Sequence, residues 1–111
     1  MNKEMFVAFI SEKLKKEFEM LKSGKLEDKQ IYDFINRAIN DLKLNPACGI
    51  KIPRNLWPKI YLQKYNVTNL WKYDLPKGWR LIYTIETDEI KIMSIILEWF
   101  DHPNYERRFK Y

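Results

Sequence analysis

The spacing of apolar residues changes character several times along the chain. Met5 to Ile10 form six consecutive apolar residues, apolar on every side as a short buried strand is. Ser11 and Glu12 then have the form of a helix start with the serine as N-cap. Leu14, Phe18 and Leu21 fall on one face of the helix that follows, and Gly24 stops it. The same segment admits one helix over residues 3–22, because Phe6, Ile10, Leu14 and Phe18 are also four apart; the strand is the preferred reading. The second helix has a continuous stripe of Ile31, Phe34, Ile35, Ala38, Ile39 and Leu42. Glu27 and Asp28 sit at its N-terminal end, where the helix dipole favours them, and Asn45-Pro46 ends it. Only a few residues join the two helices, which predicts an antiparallel hairpin.

Residues 46–66 carry Pro46, Pro53 and Pro58 among apolar residues and read as an irregular, partly extended connection packed on the core. From Val67 the period becomes two. Residues 67–73 read as a strand, 74–78 as a turn, and 79–85 as the next strand. Thr87-Asp88-Glu89 turns into a last strand over 90–97. The second and third of these strands are rich in β-branched and aromatic residues, as buried strands are. Asp101-His102-Pro103 begins a helix with proline at its first position, and a short basic helix from Asn104 to Phe109 closes the chain. The predicted class is α+β in one domain over 1–111: a short strand and a helical hairpin packed on a small antiparallel meander, with a short C-terminal helix.

Composition supports a folded domain. The chain has 111 residues, 46% of them hydrophobic and 15% aromatic, too many for disorder, and the length suits a single core. Its one cysteine, Cys48, has no internal partner, which suggests a reducing compartment. The apolar run at Met5 is too short to span a membrane and is followed by no cleavage-site pattern. A cytoplasmic protein without membrane contact is therefore expected. The formal charge is +5, which inclines the reading toward polyanionic partners but does not decide it.

The GxxxxGK[ST], GxSxG and HExxH signatures are absent. One cysteine and one histidine, far apart, give no Cys/His metal set; a carboxylate-only site stays open, but no acidic cluster suggests one, so no metal or cofactor is expected. What remains is a basic and aromatic set in the C-terminal half. Lys72, Tyr73, Lys77, Trp79 and Arg80 flank the first turn of the meander. Trp99, His102, Tyr105, Arg107, Arg108 and Tyr111 follow in the last strand and tail. Arginines grip phosphate bidentately and aromatic rings stack on unpaired bases, so a face holding both suits single-stranded RNA. Each residue also has an ordinary structural role to weigh. Trp79, Tyr83 and Trp99 suit core packing, His102 a helix cap or surface turn, and Arg107 and Arg108 the helix dipole. Arg80, a charge inside an apolar strand, must face solvent, a partner or a site.

The order of elements and these residues resemble the RelE/ParE superfamily, the toxins of type II toxin–antitoxin modules. Gly78-Trp79-Arg80-Leu81-Ile82-Tyr83 is similar to that family's glycine-aromatic-arginine-apolar-apolar-tyrosine strand, and His102-x-x-Tyr105 to its histidine-centred C-terminal segment. The RelE branch cuts messenger RNA on the ribosome and the ParE branch poisons DNA gyrase. The resemblance implies a ribosome-dependent, metal-independent endoribonuclease acting on mRNA and neutralised by a cognate antitoxin. It further implies Arg80 as the phosphate-stabilising cation, His102 and Tyr105 at general acid/base positions, and Arg107 or Arg108 as a second cation. Lys72, Lys77, Arg108 and Tyr111 would hold RNA. The chain departs from the family pattern in Trp71 and Tyr73 around Lys72, in the acidic Glu98 and Asp101 nearby, and in the long connection over 46–66.

Overall fold

A computed structural model describes residues 3–110. The element order is β1 (Glu4–Phe9), α1 (Glu12–Leu21), α2 (Leu26–Leu44), β2 (Ile50–Lys51), α3 (Ile60–Gln63), β3 (Trp71–Asp74), β4 (Arg80–Thr87), β5 (Lys91–Phe100) and α4 (His102–Phe109). Met5–Phe9 belong to a strand, and the single helix over 3–22 does not form. Ser11 caps α1 by accepting from the Leu14 amide at 3.1 Å. Phe18 of α1 stacks on Tyr32 of α2 with ring centroids 4.6 Å apart, closing the helical hairpin.

The antiparallel meander β3–β4–β5 is present, but it lies inside a five-stranded mixed sheet of order β1-β5-β4-β3-β2. β1 pairs parallel to β5 at one edge, Glu4 opposite Lys91 through Phe9 opposite Ile96. At the other edge β2, from within the connection over 46–66, pairs antiparallel to β3. That connection also contains α3 and 3-10 turns at Pro46–Cys48 and Arg54–Leu56. It is thus more regular than its prolines suggest.

The first meander strand is shorter than the alternation over 67–73 implies. Val67 and Leu70 are buried but lie outside β3, although the Leu70 carbonyl still accepts from the Ile52 amide at 2.8 Å. The reason is Asn69. Its side-chain amide donates to the Ile85 carbonyl and accepts from the Ile85 amide, both at 2.8 Å, replacing the backbone ladder there. β4 and β5 run longer than expected, reaching Thr87 and Phe100.

Both faces of β4 are covered. Leu81 and Tyr83 face the hairpin and join Phe18, Ile31, Ile35, Ala38 and Leu42 in one apolar cluster. Ile82 faces the other way, into a second cluster with Tyr61, Leu97, Tyr105 and Phe109 under α3 and α4. A bulge in β5 between the pairs Ile82–Glu98 and Tyr83–Ile96 turns Glu98 toward this second face, where both Tyr61 and Arg108 reach it. Among the described residues no helix is long and apolar enough to cross a membrane.

Candidate functional site

Strand alternation puts Lys72 and Asp74 of β3 on one face, and the register sets Asp74 opposite Arg80. The turn between the strands makes this pairing possible. Lys77 and Gly78 both adopt positive φ, 59° and 79°, a region open to glycine at little cost. A side chain at position 78 would also meet the His102 Cβ at 3.2 Å. The start of α4 is therefore seated directly against the turn that launches Arg80.

Arg80 is only 19% exposed at its side chain, and its Nε lies 2.9 Å from Asp74 Oδ1, close in distance but not aligned as a hydrogen bond. Its guanidinium carbon stands 5.4 Å from the centroid of the Tyr105 ring. Lys72 Nζ stands 5.5 Å from the same ring and 3.9 Å from the same carboxylate oxygen. Tyr105 itself is 2% exposed. Two cations thus share one aromatic floor and one counter-ion, an arrangement favoured by the negative face of the ring. Asp74, at 49% exposed, is the solvent-facing member.

His102 projects into solvent at 56% exposed, with Nε2 2.6 Å from Glu106 Oε1 one turn along α4. Asp101 caps that helix, accepting from the Asn104 amide at 3.0 Å. Its negative charge is therefore engaged in holding the helix start.

The remaining candidates go elsewhere. Arg107 points outward and donates to Asn104 at 3.2 Å. Arg108 turns toward the sheet and donates to Glu98 Oε1 at 2.7 Å, with its guanidinium over Phe100. Glu98 also accepts from the Tyr61 hydroxyl at 2.6 Å and the Tyr65 hydroxyl at 3.1 Å. Burial first, and Glu98 second, push the Tyr65 phenol up to about 12 and the Tyr61 phenol higher still. Both hydroxyls therefore act as donors to the carboxylate. Arg108 and Glu98 form a structural lock between α3, α4 and β5. Lys77 lies on the opposite side of the sheet, donating to Gln30 of α2 at 2.8 Å. Tyr111 lies outside the described residues.

Of the sequence candidates, then, Lys72, Arg80 and Tyr105 converge, and His102 borders them through Gly78. Asp74 and Glu106 are the partners that sequence reasoning missed. Each had a signal: Asp74 is two residues from Lys72 and faces Arg80 across the turn, and Glu106 is four residues from His102 on a helix. Among the described residues no three His, Cys, Asp or Glu side chains converge in a way that could hold a metal ion. No protein-family model, curated protein or solved structure matches this chain.

Proposed function

We propose that this chain is a ribosome-dependent endoribonuclease that cuts mRNA, the toxin of a type II toxin–antitoxin module held silent by its antitoxin. The observation that carries the reading is Arg80, largely buried at its side chain and held between Asp74 and the Tyr105 ring beside the β3–β4 turn. In such a reaction the 2′-hydroxyl oxygen attacks the adjacent phosphorus and the bond to the 5′ oxygen breaks. The proton lost from the 2′-hydroxyl goes to a base, and the leaving oxygen takes one from an acid. The products are a cyclic phosphate and a 5′-hydroxyl.

Arg80 would stabilise the charge that builds on the phosphate oxygens, with Lys72 beside it. His102, exposed at the rim, would carry the proton transfer that imidazole performs near neutral pH. Tyr105 would act through its ring, as the floor on which both cations rest. Arg107 would reach the strand from outside, while Lys77 would touch ribosomal RNA from the far side of the sheet.

The test is an in vitro translation reaction with a defined message, whose ends are mapped after addition of wild-type protein or Arg80→Ala. Wild type should cut within the reading frame only on translating ribosomes. Loss of one preorganised donor to the transition state should slow cutting about 100-fold or more. Equal cutting by Arg80→Ala would sink the mechanism.

One observation favours a second reading, a non-cleaving member of the same architecture that binds RNA or inhibits gyrase. The Asp74 carboxylate already occupies both cations, so a phosphate must displace it. Under this reading His102→Ala keeps the growth phenotype of the wild type; under the nuclease reading it loses it.

A further inference from the structure

The net positive charge of this chain is concentrated in one stretch. Residues 42–73 contain Lys43, Lys51, Arg54, Lys59, Lys64 and Lys72 and no aspartate or glutamate. Outside the stretch the remaining fourteen basic residues are outnumbered by fifteen acidic ones, so these six cations account for the whole of the excess. The fold brings the middle of this stretch against the end of α4. Between them lies a cleft of about 690 Å³ lined by Leu56, Trp57, Lys59 and, from α4 and its cap, Arg107, Arg108 and Lys110, with no acidic side chain in its wall.

Local structure holds these cations outward. Trp57 is pinned by its indole N–H, which donates to the Ile52 carbonyl at 2.8 Å. Arg54 lies over the Trp57 ring at 5.4 Å, a cation–π contact that steadies an exposed guanidinium at the surface. Arg54, Lys59, Arg107 and Lys110 are all exposed. None of the four has a carboxylate within ion-pair distance among the described residues, whereas the deeper Arg108 is neutralised by Glu98. Lys59 on one wall and Arg107 and Lys110 on the other, with Arg54 beside the cleft over the Trp57 indole, match a strand of phosphates with unpaired bases.

We propose that this cleft grips the backbone of single-stranded RNA, as a second hold separate from the Arg80 cluster. The inference rests on the reading of the chain as an RNA-directed protein, and it adds a contact surface supplied by the 46–66 connection. The strand would lie with phosphates against Arg54, Lys59, Arg107 and Lys110 and a base stacked on the Arg54 guanidinium. Recognition would be of charge and stacking, without sequence reading.

The experiment is fluorescence anisotropy of a labelled twelve-nucleotide RNA lacking self-complementarity, titrated with intact protein across a salt series without ribosomes. Arg54→Ala/Lys59→Ala should bind roughly tenfold more weakly at low salt, and its log–log salt slope should be smaller by about 1.4, two phosphate contacts on a single strand. Arg54→Gln/Lys59→Gln, which keeps the side-chain bulk, should show the same loss of slope. Lys15→Gln/Lys16→Gln on the exposed side of α1 removes equal charge elsewhere and should leave the slope unchanged. An unchanged slope in both Arg54/Lys59 variants overturns the cleft, as does an equal loss in the α1 variant. Tighter competition by a poly-glutamate peptide than by unlabelled RNA would assign the cleft to an acidic protein and overturn it too. Cleavage by wild type combined with an intact slope in the cleft variants removes the cleft alone. Altered slopes combined with an uncut message on ribosomes remove the nuclease alone.

Discussion

The two faces of the sheet are built by different means. Against the helical hairpin, Ile35, Ala38, Leu42, Leu81 and Ile96 are fully buried, and burial of apolar area does nearly all of the holding. Against α3 and α4 the core is interrupted by charge. Glu98 gathers Tyr61, Tyr65 and Arg108, and Asp74 gathers Arg80 and Lys72. Apolar packing is insensitive to direction but sensitive to volume, so the hairpin face is weakened chiefly by losses of volume. Hydrogen-bonded charge is directional, and its outer members can exchange partners. The difference separates a face that keeps the domain folded from one where a polyanion could be met at small expense to the fold.

The largest effect that would sharpen this contrast is on the hairpin side. Ile35→Ala should cost about 3 kcal/mol of stability, the transfer loss plus the cavity left in a rigid cluster, measured by urea unfolding at neutral pH. A loss below about 1 kcal/mol, the cost of a site that collapses freely, would break the claim that this face is close-packed. Next is Glu98→Ala, which strands Tyr61, Tyr65 and Arg108 together. With Glu98 13% exposed, the expected loss is about 2 kcal/mol, less than for a fully buried pair. The same variant should loosen α4, visible as faster amide exchange at Tyr105 and Phe109 than in Ile35→Ala at equal residual stability.

A smaller effect tests a polar link on the hairpin side. The Tyr73 hydroxyl of β3 donates to Asp41 of α2. Burial, then that hydrogen bond, push its phenol from the ordinary value near 10 up to about 12. The folded state therefore keeps the proton where the unfolded chain loses it. This stabilisation is complete below pH 10 and disappears as pH rises toward 12. Tyr73→Phe should cost about 1 kcal/mol at pH 7 and should flatten part of the alkaline decline in stability. Tyr65, also raised to about 12, supplies part of what remains. A decline of the same depth in Tyr73→Phe would place the alkaline transition elsewhere.

The contrast also explains what could be read from the sequence. The hairpin side follows periodicity, because burial is what periodicity records: the stripe from Ile31 to Leu42 and the cap at Ser11 both appear in the fold. On the other face the apolar signal was mixed with polar side chains acting at long range. The side chain of Asn69 takes over backbone pairing with Ile85, so the alternation over 67–73 overstated β3. The parallel pairing of β1 with β5 joins residues nearly ninety positions apart, and no local pattern carries that. Arg80 and Lys72 stood out as charges among apolar neighbours and do meet over Tyr105. Their counter-ion Asp74 stands across the turn from Arg80, where an aspartate before Leu-Pro reads as part of the turn itself. The Glu98 network was illegible for a different reason. A bulge in β5 changes which way Glu98 points, and bulges leave no reliable mark on alternation.

The smallest expected effect on stability bears most directly on the proposed RNA contact. Asp74 is half exposed, and exposed ion pairs contribute about 0–1 kcal/mol. Asp74→Asn should therefore shift the urea midpoint hardly at all, by less than about 0.5 kcal/mol in stability. Its effect on RNA should be in the opposite direction. The carboxylate is the anion that Arg80 and Lys72 now hold, so its removal lets a phosphate take that place without competition. Affinity for single-stranded RNA should rise about threefold, the equivalent of one released surface pair, and the salt slope should steepen. A fall in affinity would carry the opposite lesson. Asp74 would then be holding Arg80 in a geometry that RNA requires, and the charges of this face would be set in place by the fold before any partner arrives.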